Sequence, residues 1–232
     1  MTRIIQGFLK FRDKVMPDKK TLFQQLSGGQ SPQALFITCA DSRINPNLLT
    51  QTEPGDLFIS RNAGNMVPAP GGPVSGESAT IEYAIKALKV KDIIVCGHTY
   101  CGAMGGLLDP KKVSALPQVA GWLEHARELR EWIDGPGAAL PELERLNQVT
   151  ERNVLLQLEH LRAHSAVAEA LAEKKVRLMG WMYRIESGEV QIHDEAKKQW
   201  VCLTEVARQR MGHDIHTSAM PALRKPGGPI TY

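Results

Sequence analysis

The sequence has few cysteines, almost no net charge and no long apolar run, and each of these shortages excludes a class of protein. With 4 cysteines in 232 residues, a disulfide-stapled miniprotein is excluded. The 28 lysines and arginines are balanced by 25 aspartates and glutamates, and the two signs are interspersed, so the charge pattern does not call for a nucleic-acid partner. No window approaches about 18 consecutive apolar residues, so we expect no membrane span.

What remains is the composition of a folded globular protein. The chain is 43% apolar and 23% charged, and its length suits one large domain or at most two. Residues 1–20 mix charged and apolar side chains instead of offering the apolar stretch of a signal peptide, so we expect a cytoplasmic location. Thiols are normally kept reduced there, which favours metal-binding or catalytic thiolates among Cys39, Cys96, Cys101 and Cys202.

Local patterns predict both strands and helices. Short apolar segments predict three buried strands, at residues 34–38, 57–60 and 93–96. Apolar residues at helical spacing predict a helix over 77–88, between the last two strands, and a strand, a helix and a strand in succession indicate a parallel crossover. Residues 176–185 and 190–193 are typical of a hairpin or of paired strands.

Helical periodicity accounts for most of the remaining chain. Two amphipathic helices joined near Pro17 open the sequence, and further helices are predicted at 119–133 and at 142–174, the latter broken near His164. We therefore predict an α/β fold with a central, mostly parallel β-sheet flanked by helices and an N-terminal helical arm. We expect a single domain over residues 1–232, divided into the arm at 1–27, an α/β core at 28–204 and a C-terminal tail at 205–232.

A set of metal-ligand residues follows two of the predicted strands. Cys39 comes directly after the first strand, and His98 and Cys101 come directly after the third. In open parallel sheets ligands bind outside the carboxyl ends of the strands, so these side chains converge if the two strands are neighbours. Two thiolates and an imidazole are a zinc donor set that leaves the fourth tetrahedral position open. The glycines at 97 and 102 would let the backbone bend tightly around the metal.

An acid and a base stand beside the first of these residues. Arg43 offers a planar fork that can hold the Asp41 carboxylate through two hydrogen bonds and keep it ionised. A carboxylate so placed either accepts a hydrogen bond from zinc-bound water or becomes the fourth zinc ligand in a resting form. The alternative is that Asp41 or Ser42 only caps the turn near Pro46 and that Arg43 forms a surface ion pair.

In these motifs the chain resembles the plant-like branch of the β-class carbonic anhydrases. The family pattern Cys-x-Asp-x-Arg followed by His-x-x-Cys is matched by residues 39–43 and 98–101, and the likeness spans roughly residues 4–201. The resemblance implies one Zn2+ per subunit bound by Cys39, His98 and Cys101, with Asp41 and Arg43 as the catalytic dyad. It also implies a lyase that reversibly hydrates carbon dioxide to bicarbonate and a proton by means of zinc-bound hydroxide.

Further expectations follow from the same resemblance. The subunit is expected to form a homodimer or a higher homo-oligomer such as a tetramer, with the helical arm embracing the partner. Gln30 matches a residue that hydrogen-bonds bicarbonate, and Phe58, Tyr83 and Gly102 match positions that line the substrate pocket. For Phe58 and Tyr83 the alternative is a place in the core, and for Gly102 a role in a turn only.

One departure from the family bears on the state of the zinc site. The branch whose resting form has aspartate on zinc carries a tryptophan where this chain has Phe36, although Arg61 and Tyr183 match its other two residues. With Gln30 present and the tryptophan absent, we predict the open form, with water as the fourth zinc ligand and Asp41 paired to Arg43.

Three other functions remain as alternatives. A hydrolase of carbonyl sulfide or carbon disulfide would use the same zinc site. A non-catalytic zinc module would need a fourth protein ligand, for which Cys96 is poorly placed. A thiol oxidoreductase would require a paired-cysteine motif, where this chain has His98 in the first place.

Overall fold

The computed structural model describes residues 2–211, which fall into two compact units, residues 2–31 and residues 32–211. The first unit contains α1 (Thr2–Lys10), a π-helical stretch (Phe11–Val15) and α2 (Lys20–Leu26). The helical opening predicted from the sequence, with an interruption near Pro17, is therefore confirmed. Phe11 and Phe23 hold the two halves together through an edge-to-face contact of 6.1 Å between ring centroids.

The second unit alternates strands and helices. Its first half comprises β1 (Ala34–Cys39), α3 (Pro46–Thr50), β2 (Leu57–Asn62), α4 (Gly76–Lys86), β3 (Asp92–His98) and α5 (Gly102–Leu108). Its second half comprises α6 (Pro117–Leu123), α7 (Arg130–Asp134), α8 (Glu142–Ala163), α9 (Ser165–Ala172), β4 (Arg177–Arg184), β5 (Glu189–Asp194), β6 (Gln199–Cys202) and α10 (Leu203–Met211). The first part of the predicted tail, 205–211, is thus helical, and its remainder lies outside the described residues.

The six strands form one sheet in the order β2-β1-β3-β4-β5-β6. The first four run parallel, and the β4–β5 hairpin adds β5 and β6 in antiparallel orientation. This confirms the predicted α/β fold with a mostly parallel sheet. Because β1 and β3 are parallel neighbours, with Thr38 opposite Cys96, their carboxyl ends meet at one edge of the sheet. That edge carries both groups of predicted metal ligands.

One of the predicted helices is broken in the structure. The region predicted as a single helix at 119–133 consists of α6, a 3-10 stretch (Glu124–Leu129) and α7. The interruption centres on buried Ala126, whose φ of −124° leaves the helical region. The break at His164 is confirmed: its ψ of 127° separates α8 from α9, and its ring Nε2 lies 2.9 Å from the carbonyl oxygen of Pro68.

Gly97 allows α8 to pack closely on the sheet. A Cβ at this position would lie 2.7 Å from Cγ2 of Val154 and 3.2 Å from Cγ2 of Thr150, both on α8. The sequence predicts a tight bend here, but Gly97 lies inside β3 and pairs with Met182. The glycine is needed because the helix comes too close for any side chain.

We expect Gly97→Ala to lower the free energy of unfolding by roughly 1–3 kcal/mol, because the new methyl overpacks this contact. Val154→Ala makes room for the methyl, so the double variant should lose less than the sum of the two single losses. Urea denaturation of the four members of this cycle measures the coupling. Gly105→Ala is the matched control, because a Cβ there meets no atom within 4 Å in the described part of the chain. Equal losses for Gly97→Ala and Gly105→Ala would contradict the packing explanation.

Candidate metal centre

Cys39, His98 and Cys101 come together at the carboxyl edge of the sheet. Cys39 ends β1, His98 ends β3, and Cys101 directly precedes α5. Their ligand atoms all lie within 4.8 Å of one another, and the three residues are buried. Zinc bonds to sulfur of about 2.3 Å and to nitrogen of about 2.0–2.1 Å require donor atoms this close. The convergence expected from the sequence is therefore present.

The imidazole of His98 is oriented for metal binding. Its Nδ1 lies 2.8 Å from the carbonyl oxygen of Thr99, and because a carbonyl only accepts, Nδ1 carries the proton. Nε2 is then a lone-pair donor, and this fully buried atom has no hydrogen-bond partner among the described residues. A buried polar atom without a partner is costly, and a metal ion between it and the two sulfurs would satisfy it.

Thr99 is itself fixed from three sides. Its N–H donates to the carbonyl of Tyr183 at 3.0 Å, and its hydroxyl donates to Oε2 of Glu186 at 2.7 Å and accepts from the N–H of Ile185 at 3.0 Å. The carbonyl that orients His98 is therefore anchored to the end of β4. Such outer partners fix both the tautomer and the angle of a histidine ligand.

The two thiols share one proton. The hydrogen bond from the Cys101 thiol lowers the pKa of Cys39 to about 4. The neighbouring Cys39 sulfur, together with burial, raises the pKa of Cys101 well above its usual value. One thiolate thus forms readily and the second only when something replaces the shared proton, which a divalent cation does. The donor set of two thiolates and one neutral imidazole fits Zn2+.

Asp41 and Arg43 form a two-pronged ion pair at the edge of this cluster. Nε of Arg43 donates to Oδ1 of Asp41 at 2.9 Å, and Nη2 donates to Oδ2 at 2.7 Å. The N–H of Arg43 also donates to Oδ1, and these bonds hold the pKa of Asp41 well below its usual range. Oδ2 lies 4.0 Å from Nε2 of His98. An ionised carboxylate therefore stands directly beside the candidate metal position.

The alternative roles weighed for Asp41 and Arg43 do not match the structure. The cap of α3 is Asn45, whose side chain accepts from the N–H of Leu48 at 3.2 Å. Arg43 is half-exposed, but its Nη2 also donates to the carbonyl of Tyr100 at 3.0 Å, which fixes the guanidinium in place. The guanidinium of Arg43 is therefore fixed both by Asp41 and by a backbone carbonyl, which distinguishes this pair from an ordinary surface ion pair.

Arg61 fixes the backbone that carries the site. Its Nε donates to the carbonyl of Cys39 at 3.1 Å, and its Nη2 donates to the carbonyl of Asp41 at 2.7 Å. By the resemblance, Arg61 and Tyr183 match two residues of the branch whose resting form has aspartate on zinc. In this structure its polar contacts support the segment between a candidate ligand and the candidate acid.

The four predicted substrate residues belong to four different segments of the chain. Phe58 on β2 and Tyr83 on α4 are half-buried and contact each other, with ring centroids 5.9 Å apart. Gly102 is exposed at the start of α5, and a Cβ there would meet no atom within 4 Å in the described part of the chain. Gln30 is exposed and belongs to the unit formed by residues 2–31. Their roles toward substrate stay predictions.

The loop that follows β2 reaches the first cysteine with a backbone amide. Gly64 donates its N–H to Sγ of Cys39 at 3.4 Å, and Nε1 of Trp122 donates to the carbonyl of Ala63 at 2.8 Å. On the other side of the loop, Nδ2 of Asn153 donates to the carbonyl of Gly64 at 2.9 Å. The sequence analysis did not predict the contact that Asn153 makes. The sequence signal that could have indicated it is a pair of polar residues, Asn153 and Gln157, interleaved with the apolar stripe of α8.

Several known proteins are similar to this chain over most of its length. A family model described as carbonic anhydrase matches residues 34–190, more than half of the chain. The chain belongs to the β-carbonic anhydrase family. A carbonic anhydrase of Pseudomonas aeruginosa is 46% identical over 205 residues, which cover 88% of this chain and 93% of the relative. This membership makes the protein an enzyme, a carbonic anhydrase of the lyase class.

Solved structures extend the agreement to the fold. The β-carbonic anhydrase CcaA superposes with a TM-score of 0.85 at 43% identity, covering 87% of this chain and 91% of that one. One of two β-carbonic anhydrases from Sordaria macrospora, described as tetrameric, gives a TM-score of 0.74 at 28% identity, covering 82% and 95% of the two chains. Across residues 2–211, no helix combines the length and apolarity needed to cross a membrane.

Proposed function

We propose that this carbonic anhydrase hydrates carbon dioxide reversibly with Zn2+ held by Cys39, His98 and Cys101. The observation that carries the proposal is the cluster of these donor atoms within 4.8 Å, beside a carboxylate that Arg43 holds in a fork. Zn2+ supplies the acidification of a water molecule, which makes hydroxide available near neutral pH. The remaining steps belong to the side chains of the chain itself.

Asp41 is the hydrogen-bond acceptor of the reaction. Both its oxygens accept from Arg43, and the lowered pKa keeps the carboxylate ionised, so it always presents a lone pair and never a proton. Oδ2 faces the cluster at 4.0 Å from Nε2 of His98. From that position it orients the attacking oxygen toward carbon dioxide, while Arg43 prevents the carboxylate from turning away.

The same contacts favour an open zinc site. For Asp41 to become the fourth metal ligand, it would have to give up hydrogen bonds of 2.7 and 2.9 Å to Arg43. Phe36 stands where the branch with aspartate on zinc in its resting form has tryptophan. It is fully buried and packs edge-on against Trp181, with ring centroids 5.8 Å apart. We therefore propose water as the fourth ligand, with Asp41 on zinc only in a closed resting form.

Substrate binding is proposed for Gln30, Phe58, Tyr83 and Gly102. The Phe58 and Tyr83 pair offers an apolar wall of the kind that suits a nonpolar gas molecule. The exposed Gly102 leaves the start of α5 open for approach. Gln30 would supply a hydrogen bond to an oxygen of bicarbonate, as its matched position implies.

We also propose a homo-oligomer in the cytoplasm, a dimer or a larger assembly such as a tetramer. The two Sordaria macrospora enzymes are tetrameric, and α1 of this chain leaves Ile4, Ile5 and Phe8 exposed at 79%, 54% and 60%. Apolar side chains exposed to this extent on one helix suit a subunit interface. All four cysteines are free, which is consistent with a reducing compartment.

Metal removal tests the proposed function. We expect a chelator that strips Zn2+ to reduce the stopped-flow rate of carbon dioxide hydration to that of the buffer, because the site then has no means of acidifying water. Adding one equivalent of Zn2+ per chain should restore the rate. Circular dichroism before and after stripping controls for unfolding. A rate that survives stripping would overturn the zinc-dependent mechanism.

Measurements on the zinc-loaded enzyme also test two of the alternative functions. A non-catalytic zinc module would bind Zn2+ without any hydration rate, but among residues 2–211 the metal-ligand cluster holds three residues and does not include Cys96. Cys96 packs instead with Ala34, Phe36 and Ile94. Hydrolysis of carbonyl sulfide, measured on the zinc-loaded enzyme, separates the sulfur-analogue alternative: a rate exceeding that with carbon dioxide would favour it.

A further inference from the structure

Two fully buried amides of α8 hold the loop at residues 63–68. Nδ2 of Asn153 donates to the carbonyl of Gly64 at 2.9 Å, and Oε1 of Gln157 accepts from the N–H of Val67 at 2.7 Å. The two amides are joined to each other, because Nε2 of Gln157 donates to Oδ1 of Asn153 at 2.9 Å. Both side chains are completely buried, so these bonds have no competition from water.

The chain of hydrogen bonds has only one possible direction. The N–H of Val67 can only donate, which fixes the oxygen of Gln157 toward it and leaves the NH2 group for Asn153. Asn153 must then accept with its oxygen and donate with its nitrogen, which suits the carbonyl of Gly64. Flipping either amide would set donor against donor or acceptor against acceptor at both of its contacts. The loop is therefore held in one geometry.

Gly64 connects this chain to the metal centre. Its carbonyl accepts a hydrogen bond from Asn153 and its N–H donates one to Sγ of Cys39, so both of its backbone polar groups are hydrogen-bonded. Its φ of +77° is in the left-handed region, and a Cβ would lie 3.1 Å from side-chain atoms of Ala103 and Met104 on α5. A substitution at Gly64 would disturb the loop directly, so the role of the loop is best tested from α8.

We propose that Asn153, supported by Gln157, is a positioning residue that holds the Gly64 N–H on the Cys39 sulfur and so weakens the donation of electrons from that sulfur to the metal. The inference rests on the proposed zinc site. A hydrogen bond to a ligating thiolate withdraws electron density from it, and the metal is left a stronger Lewis acid. With two thiolates already offsetting the charge of the cation, the enzyme gains from each such bond.

The test uses the full-length holoenzyme with Co2+ in place of Zn2+, because Co2+ gives a sulfur-to-metal charge-transfer band that reports on the thiolates. We expect Asn153→Leu, which keeps the volume and removes the amide, to move this band to longer wavelength. Gln157→Met breaks the chain one bond further away and should give a smaller shift in the same direction.

Thr150→Val is the matched control. Thr150 is completely buried on the same helix, and within residues 2–211 its hydroxyl donates to the carbonyl of Leu146, also on α8, at 2.7 Å. The variant therefore loses a buried polar group without touching the loop, and its band should stay in place. Asn153→Gln, which keeps the amide, should lie closer to the wild type than Asn153→Leu does.

Each outcome bears on one proposal. If the wild-type protein shows no charge-transfer band, the proposed metal site fails. If the wild type shows the band and neither Asn153→Leu nor Gln157→Met moves it, the positioning role fails while the site stands. A shift of equal size in Thr150→Val would indicate general loosening of α8 and would also overturn the positioning role. If Asn153→Leu does not fold, the band of Gln157→Met is compared with that of Thr150→Val: a shift in Gln157→Met alone supports the positioning role, and equal positions overturn it.

Discussion

Cys39→Ser is expected to abolish metal binding and to lower kcat/KM for carbon dioxide hydration by at least about 10³-fold. A serine hydroxyl is a far poorer zinc ligand than a thiolate, because it keeps its proton at neutral pH. The two remaining donors, His98 and Cys101, cannot hold the cation in a catalytic geometry by themselves. Zinc per chain by atomic absorption and the stopped-flow rate are measured on the same preparation.

Cys96→Ser is the matched control for this experiment. Cys96 is fully buried on β3, next to the strand that carries Cys39, and burial raises the pKa of its thiol to about 12. Its sulfur contacts the carbonyl of Gly97 at 3.5 Å, a bond that a serine hydroxyl can also make. The control should keep its zinc and its rate. Full zinc occupancy in Cys39→Ser, or its loss in Cys96→Ser, would show that the ligand set is wrong.

Asp41→Asn is expected to keep one zinc per chain and to lower kcat/KM by about 10²- to 10⁴-fold. Because both oxygens of Asp41 accept from Arg43, the new NH2 group opposes a donor of Arg43 in either orientation and the fork breaks. If the NH2 group replaces Oδ2, it also presents a donor to the metal centre, where the reaction needs an acceptor. Either orientation removes the function while leaving the shape of the side chain almost unchanged.

Asp92→Asn provides an equivalent change away from the site. Asp92 accepts from Nε and Nη2 of Arg177 at 2.8 and 3.0 Å, so it is also an aspartate held in an arginine fork, but it stands at the start of β3. Its variant should retain the wild-type rate. Zinc content also tests the open site: if Asp41→Asn loses the metal, then Asp41 is a ligand and the proposal of water in the fourth position is wrong.

The strands, the order of the motifs and the donor types could be predicted from local patterns. The apolar runs that end at Cys39 and His98 mark buried parallel strands, and the residues after such strands lie at the edge where ligands bind. Asp41 and Arg43 are two residues apart, so a local turn is enough to bring them within reach of each other. The broken helix at 119–133 could not be predicted, because its pieces follow from how Ala126 and its neighbours are buried.

The purpose of single residues was harder to predict than their position. In the sequence Gly97 stands out because it flanks a candidate ligand, yet its role is to let Val154 of α8 approach the sheet. Asn153 and Gln157 appeared in the sequence only as exceptions in an apolar stripe. Their partners, Gly64 and Val67, are 89 and 90 residues away along the chain. No local pattern encodes contacts over such separations.

The sequence by itself determined which chemistry this protein can perform: two thiols, one imidazole and an arginine-held carboxylate, each placed next to a strand end or a turn that short-range preferences specify. Only the tertiary structure decided that β1 and β3 are neighbours, which nitrogen of His98 is free, and which backbone amide reaches the sulfur of Cys39. The reason is physical. Secondary structure follows from interactions between residues close in the chain, whereas the distances and proton positions in the site follow from the packing of segments that the chain brings together from far apart.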